Sequence, residues 1–81
     1  MKNDIIPNSG SILREKRKLL GLTQKQVAEA AQIALPQYQK FETNTREIMT
    51  ASFYITCLVL TALKIDITEF FILQNTMSKG I

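Results

Sequence analysis

The segment GLTQKQVAEAA, residues 21–31, constrains the fold more than any other part of the chain. Gly21 suits the end of a preceding helix, because glycine adopts a left-handed backbone without steric cost. Thr23 and Gln26 have the spacing of a capping box, in which each side chain accepts a hydrogen bond from the backbone of the other. Three apolar residues then share one face: Val27, Ala28 and Ala31. We therefore expect a helix that begins at Thr23, follows a tight turn and ends near residue 31 or 32.

Two more helices are predicted on either side of this one. The first starts from a cap at Ser9 or Ser11 and runs to about Leu20. The other spans residues 35–43. Pro36 is tolerated there because, in the first turn, its missing amide proton would have no partner within the helix.

The back half predicts two further helices with more apolar surface than one small core can cover. One is capped by Thr50 or Ser52, reaches Lys64 and is apolar on nearly every side. Four of its residues are expected to face the core: Phe53, Cys57, Leu60 and Leu63. The other is capped by Asp66 and spans residues 67–73. Apolar side chains left over are candidates for a dimer interface: Tyr54, Leu58, Phe70, Phe71 and Leu73.

Composition favours one small helical domain. A chain of 81 residues, 46% of them hydrophobic, supports a single core. We expect the domain at residues 9–73, with a flexible arm at residues 1–8 and a tail at residues 74–81. The single cysteine and the lack of histidine exclude an internal disulfide and the usual zinc patterns. The predicted fold class is all-α, a compact bundle of five short helices with a central helix-turn-helix.

Nothing in the sequence predicts a membrane segment. The longest apolar run, residues 51–63, is shorter than the roughly 20 residues that span a bilayer. The N-terminal residues lack the apolar core of a signal peptide. We expect a soluble, cytoplasmic protein that needs no cofactor and no metal.

The charges are distributed unevenly along the chain. Residues 1–46 hold eight Lys and Arg against four acidic residues, whereas residues 47–81 hold two against three. This asymmetry suits a front half that faces phosphates. A solvated basic helix face would give the same pattern, so charge alone leaves both interpretations open.

Four short motifs follow one another along the front half: Arg17, then GLTQ at residues 21–24, then Val27-Ala28, then Phe41-Glu42. Their order and spacing resemble the lambda-repressor-like (Cro and Xre type) helix-turn-helix family. LKIDITEFF, residues 63–71, is similar to the closing segment of that family, so the resemblance covers about residues 9–72. It implies a DNA-binding transcription regulator that docks on double-stranded DNA as a homodimer, with the third helix in the major groove.

The resemblance also implies phosphate contacts around the second helix. Gln24 matches a position that commonly contacts a backbone phosphate, and the Thr23 hydroxyl and the helix N-terminus beside it suit an anion. Capping alone is the alternative for Thr23. Lys25 and Arg46 flank the helix pair, either as phosphate contacts or as plain solvated charges.

Arg17 and Glu42 match a pair that, in the family, ties the first helix to the end of the third. A guanidinium can hold a carboxylate through two parallel hydrogen bonds. The resemblance thus implies a structural ion pair, with Arg17 also near phosphate.

The exposed face of the third helix is the implied base-reading surface: Leu35, Pro36, Gln37, Gln39 and Lys40. Gln37 can pair with adenine, Lys40 with guanine or phosphate, and Leu35 with a thymine methyl group.

An alternative function rests on departures from the family pattern. Ala34 stands where the family usually has a capping Ser or Thr, and Gln32 where it often has Gly. Such changes favour a protein-interaction module, for example an antitoxin-like or regulatory partner, that keeps the helix-turn-helix but reads little sequence. An enzyme is not expected, because the chain offers no histidine, no paired carboxylates and no nucleophile-base pattern.

Overall fold

The computed structural model describes residues 8–72 of the chain. This part contains four helices with complete bounds and one that reaches its edge: α1 (Ser9–Leu19), α2 (Gln24–Ala31), α3 (Leu35–Glu42), α4 (Phe53–Ala62) and α5 (67–72), with a short 3₁₀ helix (Ile48–Thr50) before α4. The described residues contain no strand, so the predicted all-α class is confirmed. Among these helices, none combines the length and the apolar character needed to cross a bilayer. Most of the predicted arm, Leu73 and the predicted tail lie outside the described residues.

A local sequence signal explains where α2 begins. The Thr23 Oγ1 accepts from the Gln26 amide at 3.0 Å, and the Gln26 Oε1 accepts from the Thr23 amide at 2.8 Å, which completes the predicted capping box. Gly21 takes the expected left-handed backbone, with φ of 71°. At the other end Gln32 is left-handed as well, with φ of 61°, although it has a side chain. The turn into α3 is therefore made without a glycine.

The cap of α1 differs from the prediction. Asn8 is the N-cap, and its side-chain oxygen accepts from the Ser11 amide at 2.8 Å. Ser9 is buried as the first helical residue, and its hydroxyl donates to the Glu47 carboxylate and, at 3.4 Å, to the Asn44 side chain. The predicted cap at Ser9 or Ser11 is therefore wrong, and the hydroxyl of Ser9 is used in tertiary contacts instead.

A close approach at Gly10 sets how α1 packs on α3. A Cβ atom on Gly10 would lie 2.5 Å from the carbonyl oxygen of Glu42 and 2.7 Å from that of Phe41. Asn44, left-handed with φ of 62°, accepts from the Gly10 amide at 3.2 Å. A larger residue at position 10 would force α1 and the end of α3 apart.

One core holds the helices together where α2 packs against α3 and α4, and where α1 packs against α3. Its buried members are Leu13, Val27, Ala28, Ala31, Tyr38, Phe41, Ile48, Val59, Leu60, Leu63 and Phe70. The apolar face predicted for α2 is thus the buried one. Burying such side chains supplies most of the free energy of folding in a domain of this size.

α4 faces the core in part as predicted, because Leu60 and Leu63 are buried. Phe53 was expected in the core but is 70% exposed, and Cys57 is only partly buried. Thr56 and Val59 face the core in their place. The Thr56 hydroxyl donates to the Ile48 carbonyl oxygen at 3.0 Å, which satisfies its buried polar group. Because α4 is apolar on nearly all sides, its sequence has no period that selects one face.

Candidate nucleic-acid interface

Glu42, at the end of α3, is the polar centre of the domain. Its side chain is 2% exposed, and Arg17 Nε donates to its Oε2 at 2.6 Å while Arg17 Nη2 donates to its Oε1 at 3.2 Å. Tyr38 Oη donates to Oε2 at 2.5 Å, and Gln24 Nε2 donates to Oε1 at 3.0 Å. A buried carboxylate is tolerated when it is paired and hydrogen-bonded in this way.

The ion pair of this cluster was expected from the sequence, but its two neutral donors were not. No role was assigned to the Tyr38 hydroxyl, and Gln24 was expected only as a phosphate contact. A signal for Tyr38 was present, because a residue four positions before Glu42 lies on the same helix face. No comparable signal existed for Gln24, which lies on another helix.

The contacts determine which groups of the cluster are protonated. Burial acts to raise the pKa of Glu42, but hydrogen bonds from Arg17, Tyr38 and Gln24 outweigh it, so the pKa lies below its ordinary value. The hydrogen bond to Glu42 raises the pKa of Arg17. Burial, followed by the hydrogen bond to Glu42, raises the pKa of Tyr38. At neutral pH Glu42 is therefore a carboxylate that only accepts hydrogen bonds, whereas Arg17 and Tyr38 are donors.

Gln24 extends this cluster to the outer face of α3. Its Nε2 donates to Glu42, and its Oε1 accepts from Gln39 Nε2 at 3.2 Å. Gln24 is half-buried and Gln39 is exposed. The structure thus joins an expected phosphate contact to an expected base reader. Among residues 8–72, one amide hydrogen of Gln24 has no acceptor and is free for a phosphate.

Arg17 is less available to DNA than the resemblance implied. Besides its two bonds to Glu42, it donates from Nη1 to the Leu22 carbonyl oxygen at 3.0 Å. Its side chain is 14% exposed. These bonds tie α1 both to the turn before α2 and to the end of α3.

The other residues expected to contact phosphates are exposed beside α2 and α3: Thr23, Lys25 and Arg46. Thr23 uses its hydroxyl oxygen as the cap of α2, which leaves the hydroxyl hydrogen able to donate. Lys25 lies exposed in the first turn of α2. Arg46 is exposed too, and its amide donates to the Lys40 carbonyl oxygen at 3.1 Å, so the structure places it beside the end of α3.

All five candidate base readers lie on α3, as expected. Leu35 and Gln37 are partly buried, whereas Pro36, Gln39 and Lys40 are exposed. The helix begins at its N-cap Ala34 with no side-chain cap hydrogen bond, and the proline stands in its first turn without breaking it.

A family model described as helix-turn-helix matches residues 13–53, slightly more than half of the chain. The match contains α2, α3, the whole Glu42 cluster and the outer face of α3. The chain belongs to the lambda repressor-like (Cro/C1-type) helix-turn-helix family. No curated protein matches the sequence. Membership supports a DNA-binding regulator in general, and domains of this family are typically not enzymes. Across the described part of this helix-turn-helix chain, no group of three or more metal-ligating side chains comes together.

The candidate dimer residues of this helix-turn-helix protein fall into different environments. Tyr54 is 68% exposed, and Leu58 and Phe71 are partly buried. Phe70 is 1% exposed and belongs to the core, so its assignment to an interface is wrong. In a short helix with two adjacent aromatics, the sequence does not show which one turns inward. Leu73 lies outside the described residues.

Two exposed apolar side chains that were not predicted for the interface lie on the same two helices. Phe53 on α4 is 70% exposed and Ile72 on α5 is 60% exposed. Leu19 on α1 is 82% exposed as well.

Proposed function

We propose that this protein is a transcription regulator that binds double-stranded DNA as a homodimer, with α3 in the major groove. The observation that carries the proposal is the Glu42 cluster. It fixes the inner side of α3 to α1 and α2, and it leaves Gln39 and Lys40 on the exposed outer side. A helix held rigidly with polar and basic groups outward suits insertion into the groove.

The proposed interface has two kinds of contact, one to phosphates and one to bases. Thr23, Gln24, Lys25 and Arg46 would contact phosphates, which orient the protein but carry no sequence information. Gln37, Gln39 and Lys40 would contact base edges, where glutamine pairs best with adenine and lysine with guanine.

The homodimer is supported by the exposed apolar side chains of α4 and α5. Phe53, Tyr54 and Ile72 are each at least 60% exposed. A second copy of the chain, seated on this surface, would remove them from water. Two α3 helices would then read half-sites about one helical turn apart, which predicts a palindromic operator.

One observation favours a second candidate, a protein-interaction module. The first turn of α3 presents Leu35 and Pro36, and its cap Ala34 has no hydroxyl to offer a phosphate. An outer face that begins with apolar groups also suits a protein partner.

Selection from random duplexes at two salt concentrations separates these functions. Enrichment of a palindrome is the expected result. Equal, strongly salt-dependent binding to every duplex would show phosphate contacts without readout and would contradict sequence-specific regulation. Absence of binding to any duplex at low salt would contradict both the phosphate contacts and the base contacts, and it would favour the interaction module. Sedimentation of the free protein tests the dimer, and a monomer at concentrations that bind DNA would exclude it.

A further inference from the structure

We propose that a cleft between α1 and α5 binds a small carboxylate that carries one apolar ring, a ligand of the size and charge of benzoate. The cleft has a volume of about 190 Å³. Six residues of the described chain line it: Ile12, Lys16, Lys64, Ile65, Glu69 and Phe70. None of them belongs to α2 or α3, so the cleft is separate from the surface proposed to contact DNA.

Three parts of the chain build the walls of this cleft. Ile12 and Lys16 lie one helical turn apart on α1 and therefore share a face. Lys64 and Ile65 belong to the turn between α4 and α5, and Phe70 lies on α5. Phe70 is 1% exposed and packs in the core. Because the core holds one wall in place, the cleft exists before a ligand enters, as is usual for small-molecule sites.

The volume and the apolar walls set the kind of molecule that fits. Ile12 and Ile65 are half-buried beside the buried Phe70. An apolar cavity of about 150 Å³ takes up benzene, whereas pockets for drug-sized ligands measure roughly 300–1,000 Å³. A cleft of about 190 Å³ therefore suits a single ring with one small substituent.

The charges at the cleft set the nature of that substituent. Lys16 and Lys64 each end in an ammonium group, which donates hydrogen bonds and accepts none. Within residues 8–72 neither of them forms an ion pair. Glu69 contributes one carboxylate, so the lining residues carry one positive charge in excess. An anionic group on the ligand is therefore favoured over a neutral or cationic one.

The backbone at Lys64 supplies a variant that removes charge without harming the fold. Lys64 is left-handed, with φ of 57°, and its amide donates to the Thr61 carbonyl oxygen at 3.0 Å. This position after a helix usually holds glycine, which adopts a left-handed backbone without steric cost. Lys64→Gly therefore deletes an ammonium group of the cleft and relieves backbone strain at the same time.

Titration of the full ¹⁵N-labelled chain, followed by NMR, tests the site with three probes: benzoate, benzamide and acetate. Benzoate should shift the amide signals of Ile12, Ile65 and Phe70 and should saturate with a Kd on the order of 1 mM, as befits a ligand of this size. Benzamide keeps the ring without the charge, and acetate keeps the charge without the ring. Each should bind at least about fivefold more weakly than benzoate.

Four variants separate the charges of the cleft from the charge of the whole protein. Lys16→Met and Lys64→Gly should each weaken benzoate binding by about threefold, because each removes one attractive charge. Glu69→Gln should strengthen it by about twofold, because it removes the repulsive one. Lys18→Met is the matched control, since Lys18 is exposed on α1 and does not line the cleft, and it should leave the Kd unchanged.

Saturable binding of benzoate at these signals, weakened in both lysine variants, is the expected result. Shifts that do not saturate, or that lie elsewhere in the protein, would overturn the site. Benzamide binding as tightly as benzoate would overturn the role of the charge, and acetate doing so would overturn the role of the ring. Should Lys16→Met be unfolded in a melting curve, Lys64→Gly still decides, and wild-type affinity in that variant would contradict the proposal.

Discussion

The two faces of α3 contrast in construction although they share one helix of eight residues. The inner face is buried and internally satisfied: Tyr38, Phe41 and Glu42. The outer face is exposed and largely free of contacts: Pro36, Gln39 and Lys40. Because Ala34 provides no side-chain cap, α3 depends on its inner contacts for stability. In this helix, the residues that stabilise the fold are therefore different from the residues proposed to contact DNA. Substitutions on the two faces should accordingly have different effects.

Glu42→Ala should have the largest effect. It leaves the Arg17 guanidinium and the Tyr38 hydroxyl without their acceptor, and removing one partner of a buried pair typically costs about 3 kcal/mol. Chemical denaturation should show this loss in the free energy of unfolding. Glu29→Ala is the matched control, since Glu29 is exposed on α2, and it should change stability little. An unchanged midpoint in Glu42→Ala would contradict the role of the cluster.

The same carboxylate should make stability depend on acid pH. The pKa of Glu42 is lowered in the folded protein, so its contribution is complete above the unfolded-state value of about 4.3 and is lost as the pH falls through that value toward the folded pKa. Unfolding free energies measured between neutral and acid pH should therefore fall more steeply for the wild type than for Glu42→Gln. Parallel curves would show that Glu42 does not contribute to acid sensitivity.

Tyr38→Phe should cost less, about 1.5 kcal/mol, because it removes one hydrogen bond to a charged acceptor that keeps its other donors. Thermal unfolding measures the loss. Tyr54→Phe is the control, because Tyr54 is 68% exposed on α4. Equal effects of the two substitutions would argue against a special contribution from the buried hydroxyl.

Lys40→Ala and Gln37→Ala should weaken DNA binding by about 1 kcal/mol each without lowering stability. If Lys40 contacts a phosphate, the slope of log affinity against log salt should also decrease by about one. Lys64→Ala, beyond α4, is the matched control for the lost charge. A fall in melting temperature for either outer-face variant would show that the two faces of α3 are not separable.

Ala34→Ser should have the smallest effect and the opposite sign. A serine hydroxyl at the N-cap can accept from the first turn of α3, which stabilises helices by about 0.5–1 kcal/mol. The free energy of unfolding should rise by that amount. A lower value would indicate that the extended backbone at Ala34 cannot orient a cap hydroxyl toward the helix.

Local patterns predicted the parts of the fold that depend on neighbours in sequence. The capping box of Thr23 and Gln26, the left-handed Gly21 and the first-turn Pro36 are each specified within a few residues. The resemblance added one long-range feature, the pairing of Arg17 with Glu42. The predicted cap of α1 at Ser9 or Ser11 was wrong, because Asn8 caps the helix and Ser9 is turned toward Glu47, 38 positions away.

The sequence by itself determined that this chain forms short helices with a helix-turn-helix at residues 23–42, because capping and apolar periodicity act over single turns. Tertiary structure alone decided that Phe70 is buried and Phe53 exposed, since α4 is apolar on nearly every side and α5 has two adjacent aromatics. It also decided that the Gln39 amide donates to Gln24 and that the Gln24 amide donates to Glu42. The direction of an amide depends on what faces it, and those partners meet only when α2 packs against α3.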